Sequence, residues 1–547
     1  KEVDAKHFQA VLLDFANTYA DRHARHDFAL QAVLDIHLHS HLSDEAEVNG
    51  DVRYLYLFGA ISVLILLIAC INFVNLSPAR SAYRAREVGA RKVLGARRWQ
   101  LMGQFLGESV IVSLMAFFGA ISLFEVLLPV FNAWFETSLS VATLSRLWAL
   151  FGGVGIALVV GVVAGSYSAF FLSAVSPVQA IRGIRSLGSL NALFRQGLVI
   201  FQFAISTALM VCTAVIYFQL DYIQAMNLGF DKDQVLEIAN TQVLNRSRFD
   251  AFRKALRSYP NIFQVSTGTV PGTESSKNVF HLEDGSVVTS YAYSGDYDYF
   301  ETMGIELISG RIFSRDYITD KDALIVNQTY RDKFPERNAD KIVGVVKDFH
   351  TLSLHQKIDP VAIRLDADWR GNTLVRFGKG DVRGLLAFIE NTWKQFVPNQ
   401  PFVYTFLDDR LDRLYRAEQK LGRIFFAFSG IAILVACLGL FGLVAFTAER
   451  RTKEIGIRKV VGASVGGIVM LLSRDFVKLV LIANVIAWPV AYWAMRDWLA
   501  NFAYRIDLGW EVFVLSGGLA LVIALLTVGY QAWKAARANP VDALRYE

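Results

Sequence analysis

Two short stretches carry the residues best suited to working on another molecule. Arg84-Ala-Arg-Glu87-Val-Gly89-Ala-Arg91-Lys92-Val-Leu-Gly95-Ala96 recurs as Arg451-Thr-Lys-Glu454-Ile-Gly456-Ile-Arg458-Lys459-Val-Val-Gly462-Ala463, in the same register throughout. Glu87 and Arg91, like Glu454 and Arg458, stand four apart, the spacing of a helical ion pair worth about 0.2–0.5 kcal/mol. The pattern predicts a short basic helix with Val88, Val93 and Leu94 on one face and the cations on the other. Such a helix either holds anionic lipid headgroups, at about 1 kcal/mol per cation, or docks a soluble partner. Repetition of the small residues Gly89/Gly456 and Gly95/Gly462 exceeds what headgroup attraction needs and points to docking.

Other chemistry finds less support. No segment reads G-x-x-x-x-G-K-[ST], so this sequence holds no Walker loop to cradle nucleotide phosphates. His37, His39 and His41 alternate; on a strand they would lie about 7 Å apart, too wide for one ion, and they are read as a solvent-facing strand or loop. Cys70, Cys212 and Cys437 all sit inside apolar runs, away from water where a thiolate nucleophile would work. No catalytic or metal-binding residue is assigned, and no cofactor is expected on this chain. A net charge of +5 over 547 residues gives no argument for nucleic acid.

The elements that must position the basic segments are membrane helices. The chain is 54% hydrophobic and 19% charged, against about 25% charged in an ordinary soluble domain. Runs near the roughly 20 residues that cross a bilayer predict seven spans: 57–76, 109–131, 148–171, 198–219, 424–448, 476–495 and 512–533. The second contains Glu125, and the sixth Lys478, Asn484 and Pro489. Arg80 to Arg98, Arg182 to Arg195 and Arg450 to Lys459 put the basic loops inside by the positive-inside rule. Residues 1–52 and 221–421 then lie outside. The latter is expected to be mixed α/β, with strands at 234–238, 287–293, 323–326, 342–346 and 375–377, and helices at 248–259 and 381–396.

The duplication extends past the basic segments. Ser176-Pro177-Val178-Gln179-Ala180-Ile181-Arg182 recurs as Asn539-Pro540-Val541-Asp542-Ala543-Leu544-Arg545, and the run from Phe28 to Asp35 echoes the run from Phe402 to Asp408. One unit is therefore repeated: span, outer domain, three spans. The expected division is 1–52, remnant of a first outer domain; 53–182, first module with its docking segment at 83–98; 183–220, linker and fourth span; 221–421, second outer domain; and 422–547, second module with its docking segment at 450–464. A complete first unit would make eight spans.

REVGARKVLGA, KEIGIRKVVGAS, SPVQAIRG, NPVDALRYE, DYFETMGIELISGRIFS and IVGVVKDFHTLSLH resemble the FtsX-like, MacB-type permeases of bacterial ABC transporters over nearly the whole chain. The resemblance implies a multi-pass protein of the bacterial cytoplasmic membrane with its large domain in the periplasm. It marks His350 and His355 as structural. It also implies that Glu87, Gly89, Arg91, Lys92 and Gly95, with Glu454, Gly456, Arg458, Lys459 and Gly462, form two coupling helices for two copies of a separate ATPase, which would hold ATP and Mg. A periplasmic adaptor is a further possible partner. The implied mechanism is mechanotransmission, in which ATPase closure moves the outer domain to export or extract a substrate. The alternative is a signalling protein that uses the same strokes to control a periplasmic hydrolase or sensor kinase. A secondary transporter is disfavoured by spans nearly free of interior charge.

Overall fold

A computed structural model describes residues 7–12, 15, 30–39, 52–140, 147–174, 188–273, 276–281, 287–351, 354, 356–366 and 371–537. The repeated 176–182 and 539–545 segments and His41 and His355 lie outside these. In chain order the first helices are α1 (Val33–His39), α2 (Val52–Val93), α3 (Arg98–Phe135), α4 (Leu147–Ala174) and α5 (Gly188–Ala225). The outer domain contributes α6 (Arg246–Arg257), α7 (Tyr299–Met303), α8 (Gln328–Lys333), α9 (Val382–Phe396) and α10 (Leu407–Leu414), and α11 (Arg416–Arg450), α12 (Thr452–Val460), α13 (Val465–Leu499) and α14 (Trp510–Arg537) complete the second module.

Among the described residues, six helices are long and apolar enough to cross a membrane: α2 over Val52–Asn75, α3, the Ala149–Tyr167 part of α4, the Leu193–Ala225 part of α5, α11 and α14. The seventh expected span falls on α13, which is 35 residues long but carries Arg474, Asp475, Lys478, Asn484 and Pro489. Its polar residue is used inside the bundle. Asn484 accepts from Thr207 Oγ1 at 3.0 Å and donates to the Gly517 carbonyl at 3.2 Å, tying α13 to α5 and α14. The linker expected from residue 183 is helical from Gly188, where α5 begins. His37 and His39 lie on helix α1, with His39 Nδ1 3.8 Å from Asp35, rather than on a strand or loop.

Helix contact in hydrocarbon gains little from burial alone, so close approach depends on small residues. Gly161 and Gly165 supply it between α3 and α4: a Cβ on Gly161 would sit 2.7 Å from Val110 Cα, and one on Gly165 2.6 Å from Ser109 Cβ. Glu125 lies exposed on α3.

The outer domain is built on two sheets. The first is antiparallel, in the order β10 (Tyr404–Phe406), β1 (Val235–Ile238), β9 (Thr373–Phe377) and β2 (Ile262–Thr267). Helices α6 and α9 cover it with apolar residues at helical spacing, Phe249, Phe252 and Leu256 against Leu385, Ile389 and Trp393. Asn245 and Asp381 cap these helices by accepting from the amides of Arg248 and Gly384. The second sheet is mixed, in the order β3 (Ser276–His281), β4 (Val287–Gly295), β8 (Val361–Leu365), β6 (Leu324–Asn327), β7 (Ile342–Val346) and β5 (Leu307–Gly310). Its core gathers Tyr293, Tyr299, Met303 and Phe349. The five expected strands and two expected helices are present; β2, β3, β5, β8 and β10 were not anticipated.

Gly161→Leu is expected to force α3 and α4 apart at a cost of about 1–3 kcal/mol, read as a lowered thermal midpoint of the detergent-solubilised protein. Gly59→Ala, with open space around its Cβ, is the control expected to leave the midpoint unchanged.

Candidate functional site

Both basic segments continue directly from a membrane helix. In the first module α2 runs without a break from Val52 through the segment to Val93. In the second, α11 ends at Arg450, the chain kinks at Arg451, and a separate α12 carries Thr452–Val460. The expected short, independent helix is therefore found only in the second copy.

The turn that ends each segment is the same atom for atom. The amides of Gly95 and Ala96 donate to the carbonyls of Lys92 and Arg91 at 3.1 and 2.9 Å, and those of Gly462 and Ala463 to Lys459 and Arg458 at 3.1 and 2.9 Å. This is the Schellman pattern, which requires a left-handed residue at its turn; Gly95 and Gly462 have φ of 94° and 98°. A side chain at either would find open space, so the glycines are there for the backbone and not for packing. The following helices then start at matching positions, α3 at Arg98 and α13 at Val465.

One apolar residue per segment anchors it. Val88 packs with Leu101, Phe105 and Ala169, and Ile455 packs with Ile468, Leu472 and Ala532. These two sets correspond one to one in the repeat. Gly89 and Gly456 are buried beside the anchors. Val93 and Leu94 do not share the Val88 face: they are 67% and 86% exposed, as Val460 and Val461 are at 67% and 82%. At about 100° per residue, positions five and six past Val88 lie on the far side of the helix from it, so the expected shared face does not form, and each module presents an exposed apolar tip flanked by cations.

The charges are held in place. Glu87 meets Arg91 at 2.6 Å and Glu454 meets Arg458 at 2.8 Å, with all four side chains about half exposed. Arg91 also donates to Gln104 Oε1 at 2.6 Å. Lys92 donates to the Ser173 carbonyl at 2.6 Å, near the end of α4, where a cation meets the negative end of the helix dipole. Burial, and then the charge of Arg98, lowers the Lys92 pKa. In the second copy Arg451 lies 3.7 Å from Asp475 on α13.

The other end of α13 reaches the outer domain. The chain after Leu499 folds over the top of α5, where buried Gln219 donates to the Tyr504 carbonyl at 2.9 Å and accepts from the Ile506 amide at 2.9 Å. The outer domain presses on the same loop: His350 stands edge-on to Tyr504 with ring centroids 4.9 Å apart. Leu354 packs with Ile223, Tyr415 and Phe502, and its amide donates to Tyr415 Oη at 2.7 Å. Sequence reading missed this joint, because its members come from four separate stretches. Beside it, a cavity of about 790 Å³ opens between Trp134, Tyr217 and Phe426 on its apolar side and Asp221, Gln419 and Arg423 on its polar side.

Residues 59–177 and 426–540 match the FtsX-like permease C-terminal family. Over 121 residues the chain is 31% identical to the "Uncharacterized ABC transporter permease YknZ" of Bacillus subtilis, covering 22% of this chain and 30% of that protein. Over 281 residues it is 23% identical to the "Macrolide export ATP-binding/permease protein MacB" of Chromobacterium violaceum, covering 46% of this chain and 42% of that one. The chain thus spans less than half the length of these curated relatives. Among solved structures it is similar to the periplasmic region of MacB from Actinobacillus actinomycetemcomitans, with a TM-score of 0.24 and 14% identity over 34% of this chain and 94% of that one.

The burial of His350 gives the joint an expected dependence on pH. Burial pushes the His350 pKa down to about 4, against a smaller opposing effect of Asp348. Above the ordinary histidine value near 6.5 the imidazole is neutral whether the joint is closed or open. Between about 6.5 and 4 only the opened state takes the proton, so stability falls with acidification by up to about 1.4 kcal/mol per pH unit. Thermal midpoints recorded from pH 7.5 to 5 are expected to fall less steeply in His350→Phe than in the unsubstituted protein.

Proposed function

We propose that this chain, an ABC transporter permease of the FtsX/MacB type with two permease modules, couples the strokes of a separate ATPase pair to its outer domain and so drives export or extraction of a substrate. The observation that carries the reading is the pair of docking segments. They have the same turn, the same anchor and the same ion pair, and they continue from two helices that run parallel. Phe58 lies beside Phe428 at the start of the crossing, and Asn72 bonds the Val435 carbonyl farther along. Parallel helices deliver both segments to one face, where two ATPase subunits would each grip an apolar tip and its surrounding cations.

The residues assigned to that grip are Glu87, Gly89, Arg91, Lys92 and Gly95, with Glu454, Gly456, Arg458, Lys459 and Gly462. Their roles divide by geometry. Gly95 and Gly462 make the turn that ends the tip, Gly89 and Gly456 sit at the buried anchor, and the two Glu–Arg pairs present oriented charge. The stroke has a conductor in α13, which begins beside Ile455 and ends at the outer joint; its 35 residues span about 50 Å at 1.5 Å per residue. A lever of this kind needs no hydrophilic path, and the buried polar residues Thr207, Gln219 and Asn484 are tied in local bonds to neighbouring helices and loops. The cavity beside the joint has the volume of a small-molecule site and mixed polar and apolar walls, which favours a transported or extracted amphiphile over a purely signalling role. ATP and Mg belong to the partner in this scheme, the location is the bacterial cytoplasmic membrane, and a periplasmic adaptor is an additional candidate partner.

Co-purification tests the central claim. The full-length protein drawn from its host in mild detergent is expected to bring two ATPase subunits and ATP hydrolysis with it, and Glu87→Lys/Glu454→Lys is expected to lose both. The substituted side chains are half exposed, so the variant should keep its thermal midpoint. A variant that retains the ATPase, or a permease that emerges alone, would sink the proposal.

A further inference from the structure

The two modules meet along α2 and α11, and the meeting obeys the repeat. In the register that aligns Glu87 with Glu454, the stripe Phe58, Ile61, Ile65, Ile68 and Asn72 aligns with Phe425, Phe428, Ala432, Val435 and Gly439. Both stripes step by three and four residues, the spacing of a helix seam, and the apolar members of both lie in or against one cluster. Phe58 lies against Phe428, ring centroids 6.4 Å apart, and its mirror partners Ile61 and Phe425 belong to that cluster. The contacts are those of an isologous interface. At its crossing point a position must face its own equivalent.

That point is residue 72 against residue 439, and the two differ. Asn72 is 8% exposed, its Nδ2 donates to the Val435 carbonyl at 2.5 Å, and a Cβ built on Gly439 would overlap its amide oxygen. One turn on, Asn75, which is 2% exposed, aligns with Gly442. At both of these buried asparagines of α2 the second module has a glycine. The amide oxygens of Asn72 and Asn75 accept no hydrogen bond among the described residues, a costly arrangement in hydrocarbon that apolar residues at both positions would have avoided.

We propose that Asn72 and Gly439 are a projection and its notch, which specify the pairing of unlike modules and make one chain, rather than two copies of it, the complete permease core. Two first modules would bring two asparagines to a space that holds one. Two second modules would set glycine on glycine and leave a void that neither water nor lipid fills at this separation. A single polar residue in an otherwise apolar seam fixes register and partner at a cost in stability, and here its counterpart is the absence of a side chain. The inference rests on the two-module reading of the permease above, yet it concerns the seam alone.

A substitution cycle on the full-length protein in detergent tests it. Gly439→Asn, placing asparagine on both sides, and Asn72→Gly, placing glycine on both sides, are each expected to lower the thermal midpoint by several degrees, Gly439→Asn the more. The exchange Asn72→Gly/Gly439→Asn is expected to recover most of the loss, because the pseudo-twofold hands the new amide the Ile68 carbonyl in place of that of Val435. If Gly439→Asn does not fold at all, recovery of folded protein by the exchange is the same result. An exchange no better than the worse single change, or a Gly439→Asn variant equal to the unsubstituted protein, overturns the proposal. So does a particle mass corresponding to two permease chains. The cycle reads the seam without any ATPase, so failure of the coupling segments to capture a partner would leave its outcome distinct.

Discussion

The parallel crossing of α2 and α11 is the contact on which the rest of the molecule depends. In hydrocarbon two helices gain little by burying apolar surface against each other, since lipid is as apolar as leucine. What holds them is fit, and the fit here includes an asparagine laid into the groove over Gly439. Because equivalent positions meet across the seam, the two helices run in the same direction and at the same height. Everything appended to their ends inherits that relation, including two basic segments that emerge on one face and an outer domain that enters the bundle through α10 and α11 from the opposite one.

Between those faces the second module forms a continuous packed connection. Ile455 fastens the α12 segment to the start of α13 and the end of α14. Asn484 ties the middle of α13 to its neighbours, and Gln219 clamps the loop after α13 against the outer domain. Each contact is short-ranged, in the bundle core or at its outer edge, and the charged residues of α13 are all exposed. A displacement at the basic segment therefore has a packed route to His350 and Leu354. The first module shares the turn and anchor of the basic segment but joins it differently, through the unbroken α2 and the Lys92 bond to Ser173.

Local chemistry was readable along the chain wherever one segment sufficed to specify it. The Glu–Arg pairs formed because i and i+4 are neighbours on any helix, and Gly95 and Gly462 end their segments because a left-handed residue is cheapest as glycine. The spans followed from apolar length, and five of the ten described outer strands from runs of β-branched and aromatic residues. Spacing failed as it was applied to Val93 and Leu94, which stand five and six residues past Val88 and so on the far side of the helix from it. It failed again at His37 and His39, whose alternation suggested a strand in a stretch that is helical. Residues 476–495 were legible as a span only in part, since the polar atoms that lower their hydropathy are satisfied by residues remote in sequence.

The chain's order of residues was enough to read a duplicated membrane protein, the positions of its two basic segments and the mixed character of its outer domain. These follow from composition, periodicity and internal repetition, which can be read along the chain. The facing of Asn72 on Gly439 and the clamp of Gln219 on the loop at Tyr504 came from three-dimensional packing. Each depends on which distant side chain lacks a Cβ, offers a carbonyl or leaves a groove, and a linear sequence states what residues are present without stating which of them will meet.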